Sequence, residues 1–323
     1  MLAISQKGDL MQKIIVNGID GNFGMLVAKY IQKLVAKEHL VFTVPSMEKM
    51  KKFSQSDVRI ELADFNSKEN LTTVFKNADK VLLISMPFVG EERRAAHRNV
   101  VEACVAANVK QIIYTSVLSA SNPLNPSIEN IDHGYTEALI QNSPLDYIIL
   151  RNSLFAEAFI TDYLRIVAAG EHLAVKNMGN GRVAFISRRD AALAAAAALN
   201  NDLLHREILN INGRDALTFA AFLNIGNNIT GNKIEYRTQT DEELYEYFDN
   251  LGVPRTTDGD FSKSPIKATS EGMVSFGTTV REGYLDVPVS DFSKLTGHLP
   301  LSVEYMFSHI NDFQLGERHP TEK

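Results

Sequence analysis

Residues 13–35 read KIIVNGIDGNFGMLVAKYIQKLV and constrain the fold more than any other stretch. An apolar run, Ile14-Ile15-Val16, stops at Asn17, and glycines follow at Gly18, Gly21 and Gly24. Apolar residues then recur at Phe23, Leu26, Val27, Tyr30, Ile31, Leu34 and Val35. A short continuous apolar run followed by helical spacing reads as a buried strand, a glycine turn and the start of a helix. Glycine lets the backbone bend sharply and come close to a phosphate, and a helix N-terminus presents free N–H groups and partial positive charge to it. Gly18, Asp20, Gly21, Asn22, Phe23 and Gly24 are therefore candidate dinucleotide contacts. A tight strand-to-helix connection without a ligand is the alternative reading.

The chain then alternates. Strands are expected over 39–44, 58–62, 80–85, 111–116 and 146–150, with helices over 47–53, 68–76, 91–107 and 133–142. Ser67 is the expected cap of the 68–76 helix and Asp132 of the 133–142 helix, with 119–131 a loop rich in proline and asparagine. The strands are continuous apolar runs, as in VLLIS and QIIYTS, which suits strands covered on both faces of a parallel sheet. The expected fold class is α/β, with a doubly wound parallel sheet of Rossmann type. Further on, helical spacing runs over 154–169. Short strands fall near Ala174 and over 182–185. Ser187 and Asp190 open an alanine-rich helix, 207–211 is a strand, Thr218 caps a helix to Ile229, and Asp241 caps one to Leu251. Residues 252–279 read as a loop, a lid or plain insertion, and a last helix spans 302–313. Residues 1–12 form an N-terminal extension, and 316–323 a polar tail.

The 323 residues are 45% hydrophobic, enough for a sizeable core, and carry a net charge of −6 with no basic cluster. This disfavours nucleic acid and anionic membrane surfaces as partners. No apolar run approaches a membrane span, and the N-terminus lacks a signal peptide's apolar segment. Cys104 is the only cysteine and sits on an apolar helix face, where it reads as a packed thiol. A cytoplasmic protein is expected, with no metal site, since the eight histidines are scattered.

Strand ends at the carboxyl edge of an open α/β sheet carry the ligand contacts. Ile84, Ser85, Met86, Thr115, Ser116 and Asn152 qualify by position, and so do Asp64 and Phe65 after the third strand, where this fold reaches an adenine. Each also has a plain turn or capping reading. Leu154, Phe155 and Phe159 suit an apolar pocket or ordinary core. No tyrosine is followed four residues later by lysine. The pair that lets a phenol pass a proton in alcohol dehydrogenation is absent.

The chain resembles the NmrA-like group of atypical short-chain dehydrogenases, and within it the quinone- and dye-reducing branch. The matching stretches are NGIDGNFG, ADFNSKENLTTVFKNADKVLLISMP, HRNVVEACVAANVKQIIYTSV, HGYTEALIQNSPLDYIILRNSLFAEAF, GRVAFISRRDAALAAAAAL and LTGHLPLSVEYMF. The resemblance implies an NAD(P)-binding domain over 1–153. Residues 154–323 are then mainly a smaller C-terminal α/β substrate domain, with some segments returning to the sheet. It also implies a reductase of quinone-like or other electron-poor aromatic acceptors, as a monomer or homodimer; the alternative is a non-catalytic dinucleotide sensor with a regulatory protein partner. The family's arginine after the second strand is replaced by Pro45, and no acidic residue stands there for NAD. Lys49, at a frequent family lysine, and Ser46 remain, which favours NADP(H) over NAD(H). Where the tyrosine motif falls, the chain has His133-Gly-Tyr-Thr-Glu137. His133 and Tyr135 are the candidate catalytic residues, and a surface His–Glu pair is the bland reading.

Overall fold

A computed structural model describes residues 12–266 and 268–315. The expected extension, Gln12 apart, and the polar tail lie outside them. The first half alternates β1 (Ile14–Val16), α1 (Asn22–Ile31), β2 (Leu40–Val44), α2 (Met47–Lys52), β3 (Arg59–Leu62), α3 (Lys68–Phe75), β4 (Lys80–Leu83), α4 (Glu91–Ala106), β5 (Gln111–Val117), α5 (Ile128–Gln141) and β6 (Asp146–Asn152). Beyond them come α6 (Ala156–Ala168), β7 (Leu173–Lys176), β8 (Arg182–Val183), α7 (Arg188–Leu199) and β9 (Glu207–Ile211). Seven strands form one sheet in the order β3-β2-β1-β4-β5-β6-β9. Every pairing in it is parallel, with Ile15 between Val41 and Val81. All seven carboxyl ends therefore share one edge, and the strand order reverses between β1 and β4, the switch point where such sheets bind ligands. This is the doubly wound α/β fold expected from the alternation.

Both faces are covered. Ile14, Val16, Leu82, Ile113, Ile148 and Leu150 pack under α1 and α7, where the alanines of α7 permit close approach to the sheet. Ile15, Val81, Leu83, Ile112, Tyr114 and Ile149 pack under α3, α4 and α5. A separate aromatic core, with Phe159, Phe185, Phe219, Phe222 and Phe307, joins α6 to several of the remaining elements, while Phe292 packs in the core under α1 and α7. The remaining elements are β10 (Leu217–Thr218), α8 (Phe219–Thr230), β11 (Glu235–Thr238), α9 (Asp241–Asn250), α10 (Ser270–Arg281), α11 (Phe292–Thr296) and α12 (Val303–Ser308). The strands β11 and β7 pair in parallel, and β10 and β8 antiparallel.

Several boundaries differ from the sequence expectation. The helix expected from His133 starts at Ile128, because Ser127, not Asp132, is its cap: the Ser127 hydroxyl accepts from the Asn130 N–H. Asp132 instead accepts from the Gly90 N–H at 2.6 Å. Thr240, not Asp241, caps α9 in a capping box with Glu243. The 252–279 stretch is not all loop: Thr269 caps α10, which buries Val274 and Val280 beneath a polar composition. The last helix ends at Ser308 and continues as a 3-10 turn, Ile310–Asp312. Among the described residues no helix is long and apolar enough to cross a membrane.

Candidate active site

The β1–α1 turn follows from its glycines. Gly18 has φ +68°, left-handed backbone that favours glycine. A Cβ on Gly24 would lie 2.1 Å from the Gly18 carbonyl oxygen, so only glycine lets α1 pack against the turn. A Cβ on Gly21 would meet only that same oxygen, at 3.5 Å, an ordinary contact. Gly21 is therefore not demanded by the protein's own packing. It caps α1 without any side-chain acceptor, as Gly90, Phe155 and Asp291 do at their helices, whereas Ser46, Ser67, Ser127, Ser187, Thr218 and Thr240 cap theirs with a hydroxyl. The first-turn N–H groups of α1 are left for an external anion. An open glycine beside an uncapped helix N-terminus fits a dinucleotide pyrophosphate.

The other expected contacts line up along the same edge. Asn17 straps it together: its side chain donates to the Leu82 carbonyl at 2.9 Å and accepts from the Thr43 hydroxyl at 2.7 Å. After β2, Ser46 accepts from the Lys49 N–H, and the Lys49 ammonium lies 3.8 Å from the Asp20 carboxylate. After β3, Asp64 accepts from the Asn66 N–H in a local turn, and Phe65 packs against the α4 side of the sheet. Phe23 on α1 stacks on Phe155 at 5.9 Å, joining the glycine turn to the start of α6. Leu154 and Phe159 are buried in the aromatic core, Phe159 edge-on to Phe185. Asn152 is buried at the end of β6 with its side-chain oxygen unpaired among the described residues.

The segment after β4 is held from three sides. The Ser85 N–H donates to the Thr115 hydroxyl at 2.9 Å, the Met86 N–H to His97 Nε2 at 3.1 Å, and Arg93 Nε to the Met86 carbonyl at 3.0 Å. Because His97 Nε2 accepts, the ring is neutral with its proton on Nδ1, donated to Thr136 Oγ1 at 2.9 Å. His97 and Arg93 were not anticipated as site residues. Their only sequence signal is that both fall on the apolar phase of α4, beside Ala96, Val100 and Cys104.

His133 is held away from open space, and Tyr135 is half-buried. His133 is 4% exposed, with Nδ1 2.7 Å from the Tyr114 hydroxyl and Nε2 3.6 Å from Glu129. Its partner is therefore Glu129, not the Glu137 expected from spacing. Glu137 is fully buried and accepts from Ser116, Ser121 and both Nε and Nη2 of Arg151. Arg93 ion-pairs with Glu129 and stands 3.8 Å from Asp132. Tyr135 accepts from Arg98 Nε at 2.6 Å. Among the described residues no three metal-ligating side chains gather.

Burial holds both His97 and His133 below the ordinary histidine value, with the neighbouring Arg93 charge pressing the same way. A depressed histidine adds stability in full above its unfolded pKa near 6.5, and that stability is lost as pH falls from there through the folded value. The expected result is a melting temperature that drops between about pH 7 and 5, steeper than in His97→Gln. Each such histidine contributes at most about 1.4 kcal/mol per pH unit. A pH dependence identical in the two proteins contradicts it.

A family profile described as NAD(P)H-binding matches residues 18–202. The chain is 27% identical over 299 residues to quinone oxidoreductase 2 of Escherichia coli (strain K12), covering 92% of this chain and 98% of that protein. The structure of an NADPH-dependent quinone oxidoreductase from Escherichia coli, complexed with NADPH, superposes with a TM-score of 0.82 at 24% identity, over 92% of this chain and 99% of that one. The triphenylmethane reductase of Citrobacter sp., complexed with NADP(H), gives a TM-score of 0.79 at 26% identity, over 92% and 99%. Both neighbours fall in the branch that the sequence motifs resemble.

Proposed function

The chain belongs to the NAD(P)H-binding family, and from that premise we propose that it is an NADPH-dependent oxidoreductase that reduces a quinone-like or similarly electron-poor aromatic acceptor. The observation that carries the reading is the turn at Gly18–Gly24, an anion cradle at the switch point of a parallel sheet. The quinone oxidoreductase and triphenylmethane reductase that match nearly the whole chain support a reductase over a sensor. Gly18, Asp20, Gly21, Asn22, Phe23 and Gly24 line the dinucleotide turn in this proposal, and Lys49 and Ser46 face the adenosine 2′-phosphate. Asp64 and Phe65 lie at the adenine. Ile84, Ser85, Met86, Thr115, Ser116 and Asn152 border the nicotinamide end. A cytoplasmic location belongs to the same proposal.

When bound, reduced nicotinamide supplies the hydride. The protein's own part is placement: a rigid 84–86 segment fixed by Thr115, His97 and Arg93 holds one wall, so that two flat rings meet in a defined pose. Adding a hydride and one proton completes the reduction of a quinone to a hydroquinone, and water can give the proton. His133, buried against Tyr114 and Glu129, supports the wall rather than delivering that proton. His133→Ala is therefore expected to lose about tenfold in kcat, short of the roughly 10²–10⁴-fold that general acid catalysis is worth, and to keep its cofactor affinity. A loss in that larger range, with a rate–pH limb near pH 6–7 missing in the variant, would make His133 the proton donor and contradict catalysis by placement.

A further inference from the structure

The corner between the glycine turn and α2 holds two opposite charges. Asp20 lies between Gly18 and Gly21, and its Oδ2 is 3.8 Å from the ammonium of Lys49. Both side chains are partly open, at 19% and 31% exposure. Nothing else in the described structure ties either group down, and Ser46 is engaged as the cap of α2. In sheets of this kind the residues just after β2 meet the adenosine ribose, an acid favouring the 2′-hydroxyl and a base the 2′-phosphate. Here the position after β2 is Pro45. The base at this corner is Lys49, and Asp20 of the neighbouring turn sets an acid beside it, so the two signals meet at one corner.

We propose that Asp20 is a specificity-determining residue that restrains the protein's preference for a 2′-phosphorylated dinucleotide, by neutralising Lys49 and by placing a carboxylate beside the phosphate position. The proposal rests on the cofactor reading above. A 2′-phosphate is repelled by Asp20 and attracted by Lys49, while a 2′-hydroxyl can donate to Asp20 and ignores Lys49. At about 4 Å the interaction of two such charges is of the size that changes binding several-fold, and less in high salt. With Asp20 uncharged, Lys49 is free to serve the phosphate alone.

The test is binding of NADPH and of NADH, followed by nicotinamide fluorescence, to the wild type, Asp20→Asn and Lys49→Ala. Asp20→Asn is isosteric and removes no side-chain hydrogen bond among the described residues, and thermal melting checks that the variant is folded. It is expected to tighten NADPH about three- to tenfold, to change NADH by less than about twofold, and to show a smaller gain in high salt. Lys49→Ala is expected to weaken NADPH more than NADH. An equal change for both dinucleotides in Asp20→Asn, or weaker NADPH binding, overturns the role of Asp20 and leaves the cofactor reading standing. If neither the wild type nor any variant binds either dinucleotide, the cofactor reading falls and takes the proposal with it.

Discussion

Gly21→Val is expected to lose NADPH binding by at least about a hundredfold while the protein stays folded. The two roles of the turn separate here. Gly24 serves the protein's own packing, since a Cβ there would sit 2.1 Å from the Gly18 carbonyl oxygen and 2.7 Å from its carbon. Gly24→Ala should therefore lower the melting temperature as well as binding. At Gly21 a Cβ meets nothing closer than 3.5 Å, so the branched side chain projects into the space before the uncapped N-terminus of α1. That space is where a pyrophosphate would approach the backbone. Circular dichroism and thermal melting would read the fold, and nicotinamide fluorescence the binding. An unchanged affinity in Gly21→Val contradicts the anion cradle.

The largest stability effect is expected at Arg151. Glu137 is fully buried, and Arg151, with 22% of its side chain exposed, covers it with two hydrogen bonds of 2.9 and 2.6 Å. Ser116 and Ser121 complete the shell at 2.6 and 3.1 Å. The pair ties β6 to α5 and to the loop after β5. Arg151→Met strands a buried carboxylate with two hydroxyl partners, and loss of one partner from a buried pair costs about 3–5 kcal/mol. Arg151→Met combined with Glu137→Gln should regain much of that, because no uncompensated charge remains. Urea unfolding of the two variants measures it. Equal stability of Arg151→Met and wild type would contradict the pairing.

What the sequence revealed was local. The strand at Glu207–Ile211 lies where it was expected, and the caps Ser67, Ser187 and Thr218 open the helices they were expected to open. Each is settled by chemistry within a few residues. The helix Ser270–Arg281 escaped because its glycines, serines and threonines imitate a loop, and its burial comes from α9 and α5 rather than from its own pattern. Ser127 was masked by flanking prolines and asparagines. At the site, the glycine turn was legible because strand, turn and helix are contiguous. The supports of the 84–86 segment were not: Arg93 and Glu129 are 36 residues apart, and His97 and Thr136 are 39 apart. The Lys49–Asp20 contact likewise exists only once β1 and β2 are side by side.

In the proposed reaction the chain transfers hydride from NADPH to an aromatic acceptor by holding the two together. The most direct measurement is NADPH oxidation under anaerobic conditions with a soluble quinone, followed at the nicotinamide absorbance, on protein whose NADPH binding has been confirmed in the same preparation. The expected result is saturable turnover with one hydroquinone formed per NADPH consumed, reduced in Gly21→Val in step with lost binding. Tight NADPH binding with no turnover across a panel of quinones and triphenylmethane dyes would contradict it and make the protein a dinucleotide sensor.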